Sequence, residues 1–349
     1  MASKSKVLVV GAGPAGTSAA FFLKHFDKKG EFEVTLIDRL PEEKYYKYHR
    51  MCGEGISADA FKELKPLKPT NIIHKISLTE EIYPGNVILK TESKGYLLNR
   101  SLFLEGIQKK FIKNGGKYEN RNVVDFSQKN AITEVVFEDG AKAAFDYIVA
   151  ADGANSLFRK KLNISGGEFC AEIQYIIAQK IKTNSIKFIY DARYRGDYRW
   201  EFPNKSTTKV GFPIFIGESA ETPEAHSILE HHTRVIGFGG VNKYCDSNIL
   251  LVGDSACQTN ALSKGGIRPA MVAGRTAAKA IVEKTPKTYE KRWRATDYAS
   301  PSFYLAYTYL KKLDNSKLSN IAKNILKNKL SKKEMEIAAA FELCNKMGW

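Results

Sequence analysis

Three glycines near the start of the chain have the spacing that brings backbone N–H groups up to a pyrophosphate. Residues 6–16, KVLVVGAGPAG, form a short apolar strand that breaks into Gly-x-Gly-x-x-Gly where a helix begins. Gly11 permits the tight turn, Gly13 leaves room for phosphates, and Gly16 lets the helix pack close to its strand. Asp38 ends the next apolar segment, where a carboxylate accepts hydrogen bonds from a ribose. The pattern predicts a dinucleotide site.

Aromatic residues alternate with polar ones farther along the chain. Tyr198, Trp200 and Phe202 occupy every second position, so in a strand they project from one face of the sheet. Such a face suits a pocket for a long apolar ligand. Core packing between the sheet and a helix would produce the same pattern.

Cys52 is the cysteine whose neighbours favour a chemical role. It precedes Gly53 and Gly55, small residues that allow the backbone to approach a ligand closely. The thiol could donate a proton, act as a thiolate beside a cofactor, or fill apolar space. The remaining cysteines have neither zinc nor Cys-x-x-Cys spacing, and we expect them to be reduced thiols: Cys170, Cys245, Cys257 and Cys344.

The elements that must position these residues recur along the chain. Strand-turn-helix signals typical of a nucleotide-binding domain return at residues 145–160 and 247–281. Between them lie segments of alternating apolar and polar residues, which predict antiparallel sheet. We expect a discontinuous nucleotide-binding domain of residues 1–71, 99–164 and 236–285, an inserted substrate sheet of 72–98 and 165–235, and a helical region of 286–349.

Charge and hydropathy restrict the location and the partners of the chain. No apolar run reaches the roughly 18 residues that span a bilayer, and we expect a cytoplasmic protein. The formal net charge of +16 favours acidic partners, such as an anionic membrane surface or an acidic electron carrier, and no nucleic-acid signature is present. Residues 311–333 combine lysines with apolar residues at helical spacing, which predicts an amphipathic helix lying on lipid or packed on its own protein.

Several short motifs resemble those of known flavoproteins. The GAGPAG turn, Arg100 in GYLLNR, the ADG at 151–153 and the GDSA at 253–256 resemble the FAD-binding pattern of the hydroxylase-like flavoprotein superfamily. Within it, RMCGEGIS at 50–57 and YRWEFP at 198–203 are similar to two motifs of the geranylgeranyl reductase family. The resemblance covers residues 6–285. It implies an α/β fold: a Rossmann-like FAD-binding domain with an inserted, mainly antiparallel substrate domain and a helical C-terminal tail.

The resemblance also implies site residues. Cys52 is the implied catalytic residue, and Cys257 and Ala261 depart from the Gly and Pro that are usual in the family. The implied cofactor-binding residues are Gly11, Gly13, Ala15, Gly16, Asp38, Arg39, Cys52, Gly53, Arg100, Val124, Asp254, Gly265, Gly266 and Ile267. The implied substrate residues are Tyr198, Trp200, Phe202 and Pro203.

The implied activity is an FAD-dependent reductase that saturates C=C bonds of geranylgeranyl chains in lipid biosynthesis, with hydride from N5 of the reduced flavin. An acidic ferredoxin-like protein or NAD(P)H would supply electrons, and the enzyme could associate peripherally with membranes. One alternative is a flavin monooxygenase or halogenase, although the Trp-x-Trp-x-Ile-Pro segment of a halogenase is absent. Another is a flavin-fold protein that binds isoprenoids or membranes without catalysis. We expect no metal site.

Overall fold

The computed structural model describes residues 3–181, 183–223 and 227–347. Its strands are β1 Ser5–Val10, β2 Phe32–Asp38, β3 Gly55–Ser57, β4 Ile72–Tyr83, β5 Val87–Leu98, β6 Lys117–Asn120, β7 Val123–Lys129, β8 Ile132–Phe137, β9 Lys142–Phe145, β10 Tyr147–Ala150, β11 Glu168–Ile177, β12 Ser185–Ile189, β13 Arg199–Asn204, β14 Thr207–Ile214, β15 Ile228–Phe238, β16 Cys245–Asp246 and β17 Ile249–Leu251. Its α-helices are α1 Pro14–Phe26, α2 Glu42–His49, α3 Ala60–Glu63, α4 Arg100–Lys113, α5 Leu157–Lys161, α6 Ile267–Val282, α7 Thr288–Arg294, α8 Pro301–Leu310, α9 Asn315–Leu326 and α10 Lys332–Met347.

The first sheet carries the glycine turn. Its order is β16-β17-β10-β1-β2-β6, and every pair is parallel except β16 with β17. Residues 7–10 of β1 are almost fully buried, as expected of a central parallel strand covered on both faces. Because β1, β2 and β10 are parallel, their carboxyl ends meet at one edge, where α/β sheets bind ligands.

Close packing of α1 against the strand and against α6 holds the turn after β1 in place. A Cβ on Gly16 would lie 1.9 Å from the Gly11 carbonyl oxygen, and a Cβ on Gly274 would lie 2.3 Å from the Ala15 carbonyl oxygen. Both positions therefore require glycine. This packing is the role that the sequence predicts for Gly16.

The second sheet is mainly antiparallel, with the order β15-β11-β14-β13-β12-β4-β5-β3 and one parallel pair, β12 with β4. It includes β4 and β5 from residues 72–98 and β11 to β14 from residues 165–216. Two details differ from the expected boundaries. Strand β3 comes from the predicted nucleotide-binding segment yet pairs with β5, and β15 continues beyond residue 235 to Phe238.

The tail does not form one long amphipathic helix. It divides into α9 and α10, and Leu318, Ala322 and Ile337 are buried in a core shared with Trp200 and other residues of the second sheet. Of the two alternatives expected for this apolar face, the structure shows packing on the protein itself, because these side chains cover the second sheet. The lysines remain on the exposed side. No helix among the described residues is long and apolar enough to cross a membrane.

Candidate active site

A cavity of about 500 Å³ lies where the two sheets face each other. The turn after β1, the ends of β2 and β10, and the start of α6 line one side. Residues of β11, β13 and β15 line the other side, and the segment containing Cys52 and Gly53 runs between them. The cavity therefore joins the predicted nucleotide turn to the predicted substrate face.

The glycine turn is fixed by its own backbone and leaves space at Gly13. Gly11 has φ 98°, its N–H donates to the Ile37 carbonyl at 2.8 Å, and a Cβ there would lie 2.3 Å from the Ala151 carbonyl oxygen. Among the described residues, an added Cβ at Gly13 would meet the His49 ring alone, at 3.6 Å. The protein itself therefore tolerates a side chain at Gly13, so the open space there is available to a ligand.

Asp38 fixes the same turn from the end of β2. Its carboxylate accepts hydrogen bonds from the Ala12 N–H at 2.7 Å and the Leu40 N–H at 2.8 Å. Burial raises the pKa of Asp38, and the two backbone donors oppose that shift. Each oxygen keeps a second lone pair for a ligand hydroxyl. Arg39 and Arg121 line the cavity beside this carboxylate.

The Cys-Gly segment is tied to the second sheet. Glu54 forms an ion pair with Lys209 of β14, and both side chains are buried, with exposures of 3% and 4%. The Lys209 Nζ also donates to the Cys52 carbonyl at 3.1 Å, and the Arg100 N–H donates to Glu54 Oε1 at 2.9 Å. A Cβ on Gly53 would lie 2.5 Å from the Phe202 ring. The segment therefore sits directly against the aromatic strand.

Cys52 and His49 turn toward the cavity from this segment. The Cys52 sulfur accepts the Glu54 N–H at 3.3 Å. His49 is 3% exposed, and neither ring nitrogen has a hydrogen-bond partner among the described residues. Burial, and then the charges of Arg100 and Arg234, hold the pKa of His49 well below its ordinary value. A neutral imidazole beside the glycine turn is an unsatisfied hydrogen-bonding group that a bound ligand can satisfy.

Asp254 and the glycines before α6 form the opposite wall. The Thr259 hydroxyl donates to Asp254 Oδ1 at 3.0 Å, and burial raises the pKa of Asp254. Gly265, Gly266 and Ile267 line the cavity where α6 begins. Backbone N–H groups at a helix start favour negative or electron-rich ligand groups.

The aromatic face is buried and tightly packed. Tyr198, Trp200 and Phe202 line the cavity, and the Phe188 ring meets the Tyr198 ring edge-on at 4.9 Å. The Trp200 indole covers Gly211, where a Cβ would lie 1.8 Å from the ring. The Tyr198 hydroxyl donates to the Ser263 carbonyl, which joins this face to the loop before α6.

Most of the predicted site residues line this one cavity. Gly16, Val124 and Pro203 do not. Gly16 packs under the turn. Val124 points to solvent, because its neighbour Val123 takes the inward position in β7. Pro203 follows Phe202 in β13 and therefore lies on the other face of the sheet. Cys257 is buried outside the cavity lining, at φ 51°, where glycine would be unstrained. Its thiol packs against Gly167 and Gly237.

Several cavity-lining residues were not predicted from the sequence. These additional residues are polar and lie outside the aromatic motif at 198–203. Detectable signals were the polar pair Glu172 and Gln174, two positions apart in an apolar strand, and the place of Glu54 inside the Cys-Gly motif. Arg234 and Lys264 join them only in the fold. These residues are His49, Glu54, Glu172, Gln174, Arg234 and Lys264.

The residues present fit a dinucleotide. The space at Gly13 and the free lone pairs of Asp38 match a pyrophosphate and a ribose, and Arg100 places a positive charge nearby. The buried polar atoms of His49 and Gln174 without partners among the described residues are groups that a bound cofactor could satisfy.

Comparison with known proteins gives consistent relatives. The family model described as pyridine nucleotide-disulphide oxidoreductase matches residues 5–189. A digeranylgeranylglycerophospholipid reductase of Methanocaldococcus jannaschii is 27% identical, and the match covers 90% of this chain and 89% of the relative. Digeranylgeranylglycerophospholipid reductase 2 of Methanopyrus kandleri is 28% identical, with 82% and 81% covered. These relatives confirm the resemblance that the Cys-Gly and aromatic motifs carry.

Solved structures share the fold. A geranylgeranyl bacteriochlorophyll reductase-like protein of Thermoplasma acidophilum superposes with a TM-score of 0.79 at 19% identity, covering 99% of this chain and 98% of that one. The flavin-dependent halogenase CmlS superposes with a TM-score of 0.70 at 15% identity, covering 90% and 67%. The predicted α/β fold class is confirmed. The chain belongs to the pyridine nucleotide-disulphide oxidoreductase family, and flavin is the cofactor that this family and fold imply.

Proposed function

We propose that this protein is an FAD-dependent reductase that saturates C=C bonds in the isoprenoid chains of lipids. The observation that carries the proposal is the contact of Gly53 with the Phe202 ring, which brings the Cys-Gly and aromatic motifs together at one cavity. The names of the relatives support a geranylgeranyl lipid as the substrate.

We assign each of the proposed cofactor residues to a different part of FAD along the cavity. The turn at Gly11 and Gly13 would hold the pyrophosphate, Asp38 the adenosine ribose, and Arg100 the phosphate region. Asp254 would bind the ribityl or pyrophosphate group, and the backbone of Gly265 and Gly266 would lie against the flavin ring. Bound and reduced, FAD supplies hydride chemistry that no side chain can provide.

The aromatic residues would position the substrate. An isoprenoid has few polar groups, so its orientation depends on shape and on the exclusion of water. Tyr198, Trp200 and Phe202 are each less than 10% exposed and face the cavity, which suits a chain held in a dry channel. Cys52 directly precedes Gly53, which contacts the Phe202 ring, and we propose that its thiol acts near the flavin.

The basic surface supports two further proposals. One is that an acidic ferredoxin-like protein delivers electrons there, and the other is that the protein associates peripherally with an anionic membrane. NAD(P)H is the alternative electron donor and does not depend on this surface.

Mass spectrometry of lipids tests the function directly. Purified enzyme is reduced chemically without oxygen and incubated with geranylgeranyl phospholipids. We expect products heavier by two hydrogens for each bond reduced. Oxygen or halogen incorporation after admission of air would instead support a monooxygenase or halogenase. A colourless protein that FAD does not reconstitute would contradict any flavin chemistry.

A further inference from the structure

We propose that Glu172 is the acid that gives a proton to the second carbon of the double bond when the substrate is saturated. This inference rests on the proposed function and deepens it. Saturation needs a hydride on one carbon and a proton on the other, and the reduced flavin accounts only for the hydride. The proton donor must face the cavity and hold an exchangeable proton at neutral pH.

Glu172 occupies the right place for this role. It lies on β11 and lines the cavity with Gln174, on the same wall as the aromatic residues of β13. Glu172 is also close to the aromatic motif. The pKa of Tyr198 is raised first by burial and then by the charge of Glu172, which acts at this distance only because the two side chains are near each other. Asp254, on the opposite wall, acts on Glu172 in turn.

Among the described residues, the cations near Glu172 are held by other partners. The Lys264 ammonium pairs with Asp197 at 3.1 Å and donates to the Ala261 carbonyl at 2.7 Å. Arg234 is opposite Glu172 on β15, but its guanidinium stacks over the Tyr48 ring, 3.3 Å from the centroid, and donates to the Tyr48 carbonyl.

Two further neighbours of Glu172 carry no positive charge. Cys170, on the same strand, has its sulfur 4.0 Å from Glu172 Oε1, and Pro213 is opposite on β14. Burial raises the pKa of Glu172 well above that of an exposed glutamic acid, and the charges of Asp197 and Asp254 add to the shift while Lys264 opposes it. The side chain is therefore a carboxylic acid near neutral pH.

Saturation of the double bond transfers one hydride and one proton. One alkene carbon accepts the hydride, with two electrons, from the reduced flavin, and the other forms a C–H bond with the proton of Glu172. The alkene is reduced, the flavin is oxidised, and Glu172 becomes a carboxylate. Water restores its proton when the product leaves.

Single turnover of the reduced, FAD-loaded enzyme tests the proton donor. Glu172→Gln keeps the shape and removes the acid, so we expect normal flavin content, saturation slowed on the order of 100-fold or more, and loss of the decline in rate at high pH. Glu172→Asp retains an acid and should recover part of the rate. Glu81→Gln is the matched control, because Glu81 is also a buried carboxyl but lies outside the cavity lining.

Infrared spectroscopy provides a readout that does not depend on activity. At neutral pH the wild-type spectrum minus that of Glu172→Gln should contain the carbonyl band of a protonated carboxylic acid. Absence of that band, or saturation by Glu172→Gln at the wild-type rate, overturns the proton-donor role. If Cys52→Ser loses the proton step while Glu172→Gln does not, the donor is Cys52.

Failure of the two proposals can be told apart. A wild-type enzyme that saturates no isoprenoid overturns the proposed function, and the role of Glu172 falls with it. A wild-type enzyme that saturates the chain, with an unaffected Glu172→Gln variant, overturns the role of Glu172 alone.

Discussion

Gly13 differs from Gly11 and Gly16 in what an added side chain would contact. Side chains at Gly11 or Gly16 would strike backbone within the protein, whereas a side chain at Gly13 would project into open space beside His49. A substitution at Gly13 should therefore affect the ligand more than the fold.

We expect Gly13→Val to fold but to lose at least nine-tenths of its bound flavin, because the branched side chain fills the space left for the pyrophosphate. The measurement is flavin absorbance per protein after gel filtration. Gly106→Ala is the control, since its Cβ meets nothing within 4 Å and alanine favours a helix by about 0.5–1 kcal/mol. Full flavin in Gly13→Val would mean that the pyrophosphate binds elsewhere.

Glu81 allows a test of buried charge away from the cavity. Burial raises its pKa from 4.5 to about 7, so the folded protein keeps the proton while the unfolded chain releases it above its ordinary pKa. The favourable contribution of this acid is complete below pH 4.5 and is lost as pH rises to about 7. Glu81→Gln should therefore gain thermal stability over the wild type progressively across this range.

Melting temperatures measured at several pH values check this expectation. The exposed Glu119→Gln variant should follow the wild type at every pH. A constant difference between Glu81→Gln and the wild type would show that Glu81 is ionised in the folded protein.

At the residue scale, motif chemistry was predictable and long-range polar contacts were not. Gly11, Gly13, Asp38 and Asp254 belong to local patterns whose spacing already indicates a ligand. His49 becomes a cavity residue because α2 ends beside the turn after β1, and its only local signal is its place directly before the Cys-Gly motif at 50–57.

The buried ion pair between Lys209 and Glu54 connects strand β14 to the Cys-Gly segment. The Lys209→Met variant should lower the free energy of unfolding by about 3–5 kcal/mol, since it leaves the buried Glu54 without its cation. Chemical denaturation measures the loss. Adding Glu54→Gln should recover most of it, because the unpaired charge is gone. A loss below about 1 kcal/mol in the single variant would mean that the pair is not buried in solution.

The aromatic residues of β13, and Tyr198 directly before it, should matter for turnover more than for flavin binding. Trp200→Ala and Tyr198→Ala should each slow isoprenoid saturation roughly 100-fold, because the chain is then poorly held for hydride transfer. Flavin content and single-turnover rates are measured on the same samples. Tyr175→Ala is the control, since that ring is equally buried but packs in a separate cluster on the sheet. Parallel loss of flavin and rate would indicate a structural role.

Among the elements, the parallel strands and the alternating segments were predictable, because each has a local hydrophobic period. Strand β3 was not, since three residues carry no period and its place depends on pairing with β5. For residues 311–333, the helical structure was predictable but the packing of its apolar side was not. Its helical spacing is local, but whether lipid or protein covers the apolar side depends on the distant second sheet.

For the molecule as a whole, charge is concentrated where α9 and α10 meet. Residues 311–333 contain eight lysines and one aspartate, out of a formal net charge of +16. Because the apolar side of α9 covers the second sheet, its lysines face outward and act through charge alone. Removing the tail would expose the core, so charge reversal is the cleaner test of membrane association.

We expect the protein to bind anionic vesicles at low salt and to lose affinity as salt screens the lysines. Each lysine near such a surface contributes on the order of 1 kcal/mol, so removing three weakens partition roughly 100-fold. Reversal at Lys323, Lys327 and Lys329 to Glu also adds three negative charges, so vesicle sedimentation should show a loss of at least this size. The control reverses Lys109, Lys110 and Lys113 near the C-terminal end of α4, and the melting temperatures of both variants are measured because Lys109 pairs with Glu105. Equal sedimentation of the two variants would place the membrane-binding charge elsewhere on the molecule.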